Sequence, residues 1–305
     1  MTKIIDTHCH YNMEPILGDA TEHWQKSKKM GIEKSVVVGT NLIDSKLAIK
    51  ISNENDGLFA SIGLHPENFD EAIKNILHGD KFSQLEIDNY LNKSLTDFFE
   101  FANKILSTKT LNEKNKLVAI GEIGLDYYRL KTKGLKRNLV VELQKKAFTQ
   151  LLEFAFKNNL VAIIHVRDLA ERTEENAYYD VLAILKSVIS TLDKKITPKF
   201  VLHCASGPVD YIKEAISLGG YVGFAGNITY HNSQNLREIL QIVPKDKILI
   251  ETDAPFLIPE SQKNTDNNDQ YCEPYMIKYT AEYLESEMGV NLDIIKRNSE
   301  KLFSI

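Results

Sequence analysis

The sequence predicts an α/β chain folded as a (β/α)8 barrel, and three observations carry that prediction. Eight short apolar, β-branched runs are spaced along the 305 residues. Amphipathic stretches fill the intervals between them, and the alternation continues to the end with no second compositional regime. Near-continuous apolar runs are what strands covered on both faces require, and a β-then-α rhythm repeated eight times closes into a barrel. A doubly wound open sheet is the fold-level alternative. A chain of this length, 43% hydrophobic, can bury such a core, and residues 1–305 read as a single domain.

Taken in order, the strand runs are 4–8, 35–39, 58–64, 117–122, 161–165, 200–203, 221–225 and 248–253. Residues 20–30 read as the first helix, closed by Gly31, because glycine accepts the left-handed conformation that a helix C-terminus needs. The second spans 44–56, with Asp44 as its capping residue and Gly57 as its stop. Residues 69–116 exceed one crossover helix. They predict an insertion between strands 3 and 4 that holds two helices, 91–106 the stronger, and ends in a polar loop at 107–116. Between 138 and 158, Val140, Leu143, Ala147, Leu151 and Phe154 recur at helical spacing and leave Glu142, Lys145 and Lys146 to solvent. Pro208 suits the first turn of a helix that closes at Gly219, and Ser233 can cap one running through Ile242. The stretch 259–270, rich in Asn and Asp, reads as a loop after the eighth strand.

The charge balance is nearly even, with 37 Lys and Arg against 42 Asp and Glu, a net of −5. A uniformly basic coat for nucleic acid is thereby excluded, although a local basic patch or bound cations could still receive phosphates. Cys9, Cys204 and Cys272 share no paired spacing, which argues for a reducing setting, cytoplasmic or nuclear. No run has the length of a membrane span. Asp6 and two histidines stand within ten residues of Met1, where a signal peptide would need an apolar core.

In a barrel of this kind the carboxyl ends of the strands carry the chemistry. The first run leads into His8 and His10, which at i, i+2 on a strand face the same way while Cys9 faces the other. The fourth ends in Glu122, the fifth in His165, the sixth in His203 and the eighth in Asp253. A buried imidazole or carboxylate without a partner costs several kcal/mol, so five strand ends of this type ask for a common cause. Two divalent ions satisfy all six groups. A carboxylate has two oxygens and can bridge, whereas a neutral imidazole offers one lone pair, so Glu122 is the expected bridge. His8, His10 and Asp253 complete one ion, and His165 with His203 the other, leaving positions for water and substrate oxygens. Ligands of these types accept Zn, Mg, Mn or Co.

The same residues carry a family resemblance. Asp6-Thr7-His8-Cys9-His10, Gly63-Leu64-His65-Pro66, Gly121-Glu122-Ile123-Gly124-Leu125-Asp126-Tyr127-Tyr128, Ile164-His165-Val166-Arg167-Asp168, His203-Cys204-Ala205-Ser206-Gly207 and Glu251-Thr252-Asp253-Ala254-Pro255 resemble segments of the TatD family of metal-dependent deoxyribonucleases. The resemblance covers nearly the whole chain, including Asn298-Ser299-Glu300-Lys301-Leu302-Phe303. It implies a TIM-barrel hydrolase of the amidohydrolase type, with residues 1–305 as a single metal-dependent hydrolase domain. Such an enzyme would bind two divalent ions through the six residues just named and cleave DNA phosphodiesters, in the best-known members as a 3′-5′ exonuclease. One departure stands out: the family commonly has Arg-Asn-Glu-Pro after the eighth strand, and here Tyr271-Cys272-Glu273-Pro274 keeps only the Glu and Pro. The insertion at 69–116 also exceeds that of shorter members.

A phosphodiester is an anion that resists attack by another anion. Two ions answer this, one lowering the pKa of the attacking water while the pair holds the non-bridging oxygens. Asp253 is placed either to take that water's proton or to serve as a ligand alone. Arg129, Lys131, Lys133, Lys136 and Arg137 follow the fourth strand, as a basic loop that steers DNA inward or as one that is merely solvated. Arg167, two residues after His165, has the better position for a phosphate contact. His65, at the end of the third strand, meets either substrate or a ligand's hydrogen bond. Tyr127 and Tyr128 either stack on bases or pack into the rim. Cys9 and Cys204 are expected to face away from the ligands as packing residues, and His23, His78 and His231 fall outside the constellation. The nearest rival is hydrolysis of a small-molecule ester, lactone or amide on the same centre. A metal-retaining binding protein and a one-metal, deaminase-like enzyme are the others; the former fits poorly, because a structural zinc site closes with four ligands.

Overall fold

The computed structural model describes residues 3–76, 84–108, 116–168, 176–263 and 271–305. Its eight strands are β1 (Ile4–Cys9), β2 (Ile32–Val38), β3 (Leu58–Ile62), β4 (Leu117–Asp126), β5 (Val161–Arg167), β6 (Phe200–Leu202), β7 (Tyr221–Phe224) and β8 (Ile248–Ile250). Each pairs in parallel with the next, in unbroken sequence order. A doubly wound sheet would reverse that order at a switch point, and none occurs among these strands. The seam from β8 back to β1 is tied by three bonds: Thr7 Oγ1 donates to the Ile250 carbonyl at 3.0 Å, the Asp253 amide to the His8 carbonyl at 2.9 Å, and the His10 amide to the Ala254 carbonyl at 2.8 Å. Asp6, fully buried, reinforces the seam by accepting from Thr252 Oγ1 at 2.7 Å and from the Thr252 amide at 3.0 Å. The architecture is a (β/α)8 TIM barrel.

The helices among the described residues lie outside the cylinder. α1 (Ala20–Lys29) follows β1 and α2 (Leu42–Glu54) follows β2. α3 (Glu67–Ile76) and α4 (Gln84–Ser107) make up the expected insertion between β3 and β4. Then come α5 (Leu135–Lys157), α6 (Ala177–Thr191), α7 (Val209–Ser217) and α8 (Gln234–Ile242), with α9 (Ile277–Ser286) and α10 (Leu292–Phe303) after β8. Two caps differ from expectation. Asn41, not Asp44, starts α2, its side chain accepting from the amides of Ile43 and Asp44, while Asp44 itself accepts from Thr40 Oγ1 and Asn41 Nδ2. Ser233 makes no side-chain cap on α8. Parts of the predicted loops, 109–115 and 264–270, and His78 lie outside the described residues. Of the second loop, Glu260–Gln262 forms a short 3-10 turn. Among the described residues no helix is long and apolar enough to cross a membrane.

Strand alternation divides the core in two. Ala162 and Ile164 of β5 pack toward the helices, whereas Val161 and Ile163 join Val36, Val38, Val201 and Leu249 in a separate cluster plugged by Phe303 of α10. That second cluster is the filling of the barrel, and the next residue on its face of β5 is His165. β4 and β5 run past their predicted ends, to Asp126 and Arg167, because the polar residues taken as strand stops stand inside the ladder. β6 and β8 are shorter than predicted. His203 and Asp253 therefore sit in the turns that follow, where Cys204 (φ 48°) and Asp253 (φ 58°) take left-handed backbone.

Candidate metal centre

All six residues expected as ligands come together at the carboxyl mouth of the barrel. His8 Nε2 and His10 Nε2 lie 3.2 Å apart. Both face Asp253 Oδ1, at 3.5 and 3.4 Å, and Glu122 Oε2, at 3.7 and 4.0 Å. The other oxygen of the same carboxylate, Oε1, lies 2.6 Å from His165 Nδ1, 3.4 Å from His65 Nε2 and 3.6 Å from His203 Nε2. Glu122 thus turns one oxygen to each group of imidazoles. Two glycines allow it to sit there: a side chain at Gly63 would meet the Glu122 backbone nitrogen at 2.5 Å, and one at Gly124 (φ 147°) would strike the His165 carbonyl.

These residues fit divalent ions by the chemistry of their donors. The spacing of the first group is close to the edge, about 3.3 Å, of a tetrahedron drawn with bonds of 2.0 to 2.1 Å. His10 donates Nδ1–H to the Val38 carbonyl at 2.9 Å, which leaves a lone pair on Nε2 turned toward His8 Nε2. In this buried site His8 Nε2, Asp253 Oδ1 and Glu122 Oε2 surround that lone pair, a donor set that suits a divalent cation. His8 Nδ1 is buried with no hydrogen-bond partner, so nothing within the protein satisfies that ring outside the cluster. His65 differs. Its Nδ1 accepts from the Glu67 amide at 3.2 Å, so the proton sits on Nε2 and is aimed at Glu122. That tautomer makes His65 a donor rather than a ligand, and the structure places it beside Glu122 and His165, the pair that was expected to share an ion with His203.

Two carboxylates absent from the sequence-based set complete the centre. Asp126 Oδ2 lies 3.1 Å from His165 Nε2, and Glu251 Oε1 lies 3.0 Å from His203 Nδ1 while accepting from the Cys204 amide at 2.5 Å. Each backs a histidine on the side away from Glu122. A signal existed: both stand at the mouth ends of strands, Asp126 four residues after Glu122 and Glu251 two before Asp253. The electrostatics follow. Burial would lower the His165 pKa, but the hydrogen bonds to Asp126 and Glu122 push it up to about 9. Burial opposes charge on His203 too, yet the facing Glu251 and Glu122 carboxylates push it up to about 10. His8, buried against His203, is held well below the ordinary imidazole value. Burial alone would raise Glu122, and the imidazoles of His65, His203 and His165 hold it well below the usual carboxylate range instead.

A cleft of about 1100 Å³ opens over the centre. Arg167 lines it, its guanidinium 4.4 Å above the Tyr128 ring. Arg129 lines it as well, but its Nη1 is held by both Glu67 oxygens at 3.1 Å. Lys131, Lys133, Lys136 and Arg137 do not reach the cleft wall, and Lys263, which no motif marked, does. Tyr127 is buried and donates to Asp180 at 2.8 Å, so it packs, whereas Tyr128 is exposed in the cleft. Cys9 is buried as expected. Cys204 is not turned away: its left-handed backbone brings the thiol to the cleft wall near His203 and Asp253. His23 and Glu273 meet on the flank of the barrel, where Glu273 also accepts from Lys26 at 2.7 Å.

Comparison with known proteins bears on this arrangement. Residues 5–304 match the family model described as TatD related DNase. The uncharacterized metal-dependent hydrolase YabD of Bacillus subtilis is 29% identical over 303 residues, covering 99% of each chain. The 3′-5′ ssDNA/RNA exonuclease TatD of Pantoea ananatis is 25% identical, covering 92% of this chain and 91% of its own. Among solved structures, YJJV of Escherichia coli, a TatD homologue, superposes with a TM-score of 0.71 at 22% identity over 99% of this chain and 98% of its own, a likeness of fold. A family match over nearly every residue, joined to a barrel mouth crowded with imidazoles and carboxylates, means that this chain belongs to the TatD-related DNase family of metal-dependent hydrolases.

Proposed function

We propose that residues 1–305 form a single metal-dependent hydrolase domain that cleaves DNA phosphodiester bonds as a 3′-5′ exonuclease, using two divalent ions. The observation that carries this reading is Glu122, with its two oxygens turned to separate groups of imidazoles. The activity named for the Pantoea ananatis relative supports the substrate. His8, His10, Glu122, His165, His203 and Asp253 would hold the ions, whose contribution is to neutralise phosphate charge and acidify a water.

The side chains around them have separable tasks. Asp253 presents a carboxylate to the cleft and takes the proton of the attacking water. His65, protonated at Nε2 by virtue of the Glu67 amide, donates a hydrogen bond toward Glu122 or to an oxygen of the substrate above it. Arg167 at the end of β5 contacts a phosphate oxygen, its fork held over Tyr128. Arg129 contributes by exchanging its pairing with Glu67 for a phosphate.

The test is digestion of 5′-labelled single-stranded and duplex DNA with added Zn, Mg or Mn, beside Glu122→Ala and beside a panel of lactones and amides. The parent should shorten strands from the 3′ end, and Glu122→Ala should fall at least about a hundredfold. Equal digestion by the variant would remove Glu122 from the centre, and turnover of a lactone or amide with no cleavage of DNA would replace the substrate assignment.

A further inference from the structure

Among the described residues, Tyr128 and Phe256 are the only exposed Phe, Tyr or Trp side chains, each 52% accessible. Both line the cleft over the metal centre. Tyr128 follows β4 and stands against Arg167 of β5, while Phe256 follows β8 and stands with its ring centroid 6.2 Å from that of His10, just past β1. In a cylinder of eight strands in sequence order, the β4–β5 edge and the β8–β1 edge lie on opposite sides of the mouth. The two rings therefore flank Glu122 from opposite walls. A large ring left half in solvent forgoes burial, and the other Phe, Tyr and Trp rings among the described residues avoid this. Two such rings opposed across one charged cleft are what a strand with unpaired bases would use, because each base offers a π-face while its phosphates seek cations.

We propose that Tyr128 and Phe256 are stacking platforms that grip two unpaired bases of a single-stranded polynucleotide, one on each side of the phosphate held over Glu122. This rests on the nuclease function proposed above and assigns two residues to base contacts on the single-stranded substrate named for the Pantoea ananatis relative, since duplex bases keep their faces stacked on one another. Arg167 serves both parts, as a phosphate donor and as the backing of the Tyr128 ring.

The experiment compares a 5′-labelled single-stranded oligodeoxynucleotide with one whose last two nucleotides are abasic spacers. Both are given to the parent, Tyr128→Ala, Phe256→Ala, the double alanine variant and Tyr128→Phe. The parent should lose between about fivefold and a hundredfold in kcat/KM when the bases are removed. Each alanine variant should lose a comparable factor on the intact strand, chiefly through KM, while Tyr128→Phe keeps parental values. The double variant should be nearly indifferent to the missing bases. Alanine variants that match the parent on the intact strand, or a loss on base removal equal in parent and double variant, would overturn the proposal and leave the nuclease assignment standing. A parent that cleaves no polynucleotide with any of the three ions would end both. Because both rings are exposed, an unchanged melting temperature should accompany each variant.

Discussion

At the scale of single residues, the histidines of the centre differ in what stands behind them. His10 is hydrogen-bonded to the Val38 carbonyl and His165 to Asp126, while His203 faces the Glu251 carboxylate at 3.0 Å. A carboxylate behind an imidazole orients the ring and makes its free nitrogen more basic, so its loss weakens metal binding without removing a ligand. Glu251→Gln should accordingly lower metal affinity by about tenfold to a hundredfold in a calorimetric titration, with the fold retained. Unchanged affinity would reduce Glu251 to a brace for the Cys204 amide and the Thr7 hydroxyl. The pair His8 and His10 was legible in the sequence because strand alternation is local and acts over two residues. Asp126 and Glu251 were not, since each meets its histidine across neighbouring strands and only pairing brings them close. The proton on His65 was illegible for another reason: the amide that fixes it is only two residues on, at Glu67, but it meets the ring only in the folded turn that leads from β3 into α3.

At the scale of elements, the apolar runs revealed every strand, but polar residues misled about where strands stop. Glu122 and His165 stand inside ladders that continue through Asp126 paired with Arg167, because the barrel interior at the mouth tolerates polar side chains that a packed core would reject. The loop after β8 carries Glu273, which follows Tyr271 and Cys272 and faces α1. Glu273 ties that loop to α1 through His23 at 3.1 Å and Lys26 at 2.7 Å. Burial would raise the Glu273 carboxyl, but these two hydrogen-bonded partners hold it below its ordinary value of 4.5. A carboxyl whose folded pKa is depressed stabilises the fold above its unfolded pKa and loses that contribution as pH falls through the folded one. Glu273→Gln should therefore cost about 1 kcal/mol near pH 7, Lys26 being half exposed. Melting curves should show the gap between parent and variant closing below about pH 4.5. A gap that stays constant down to pH 3 would mean the loop is held by packing alone.

At the scale of the whole molecule, the barrel brings to one mouth a set of charges that the chain holds apart in sequence. Eight consecutive parallel strands make this possible, and the rhythm that predicted them is a property of the entire chain. The cost is a cluster of buried titratable groups. Without a divalent ion the carboxylates keep protons on His165 and His203, up to about 9 and about 10. An ion must displace those protons, so its apparent affinity rises with pH across the neutral range. The ion binds the folded chain and has no assembled site in the unfolded one. A concentration a hundredfold above its dissociation constant therefore stabilises by about 2.7 kcal/mol, a rise in melting temperature of roughly 5 °C for a chain of this size. Stripping with a chelator should lower the melting temperature, restoring Zn or Mn should recover it, and the recovery should be smaller at pH 6 than at pH 8. Glu122→Ala should lose most of the shift, because removing the carboxylate that faces both imidazole groups weakens both halves of the centre together. A shift of the same size in that variant would place the stabilising ion elsewhere on the protein.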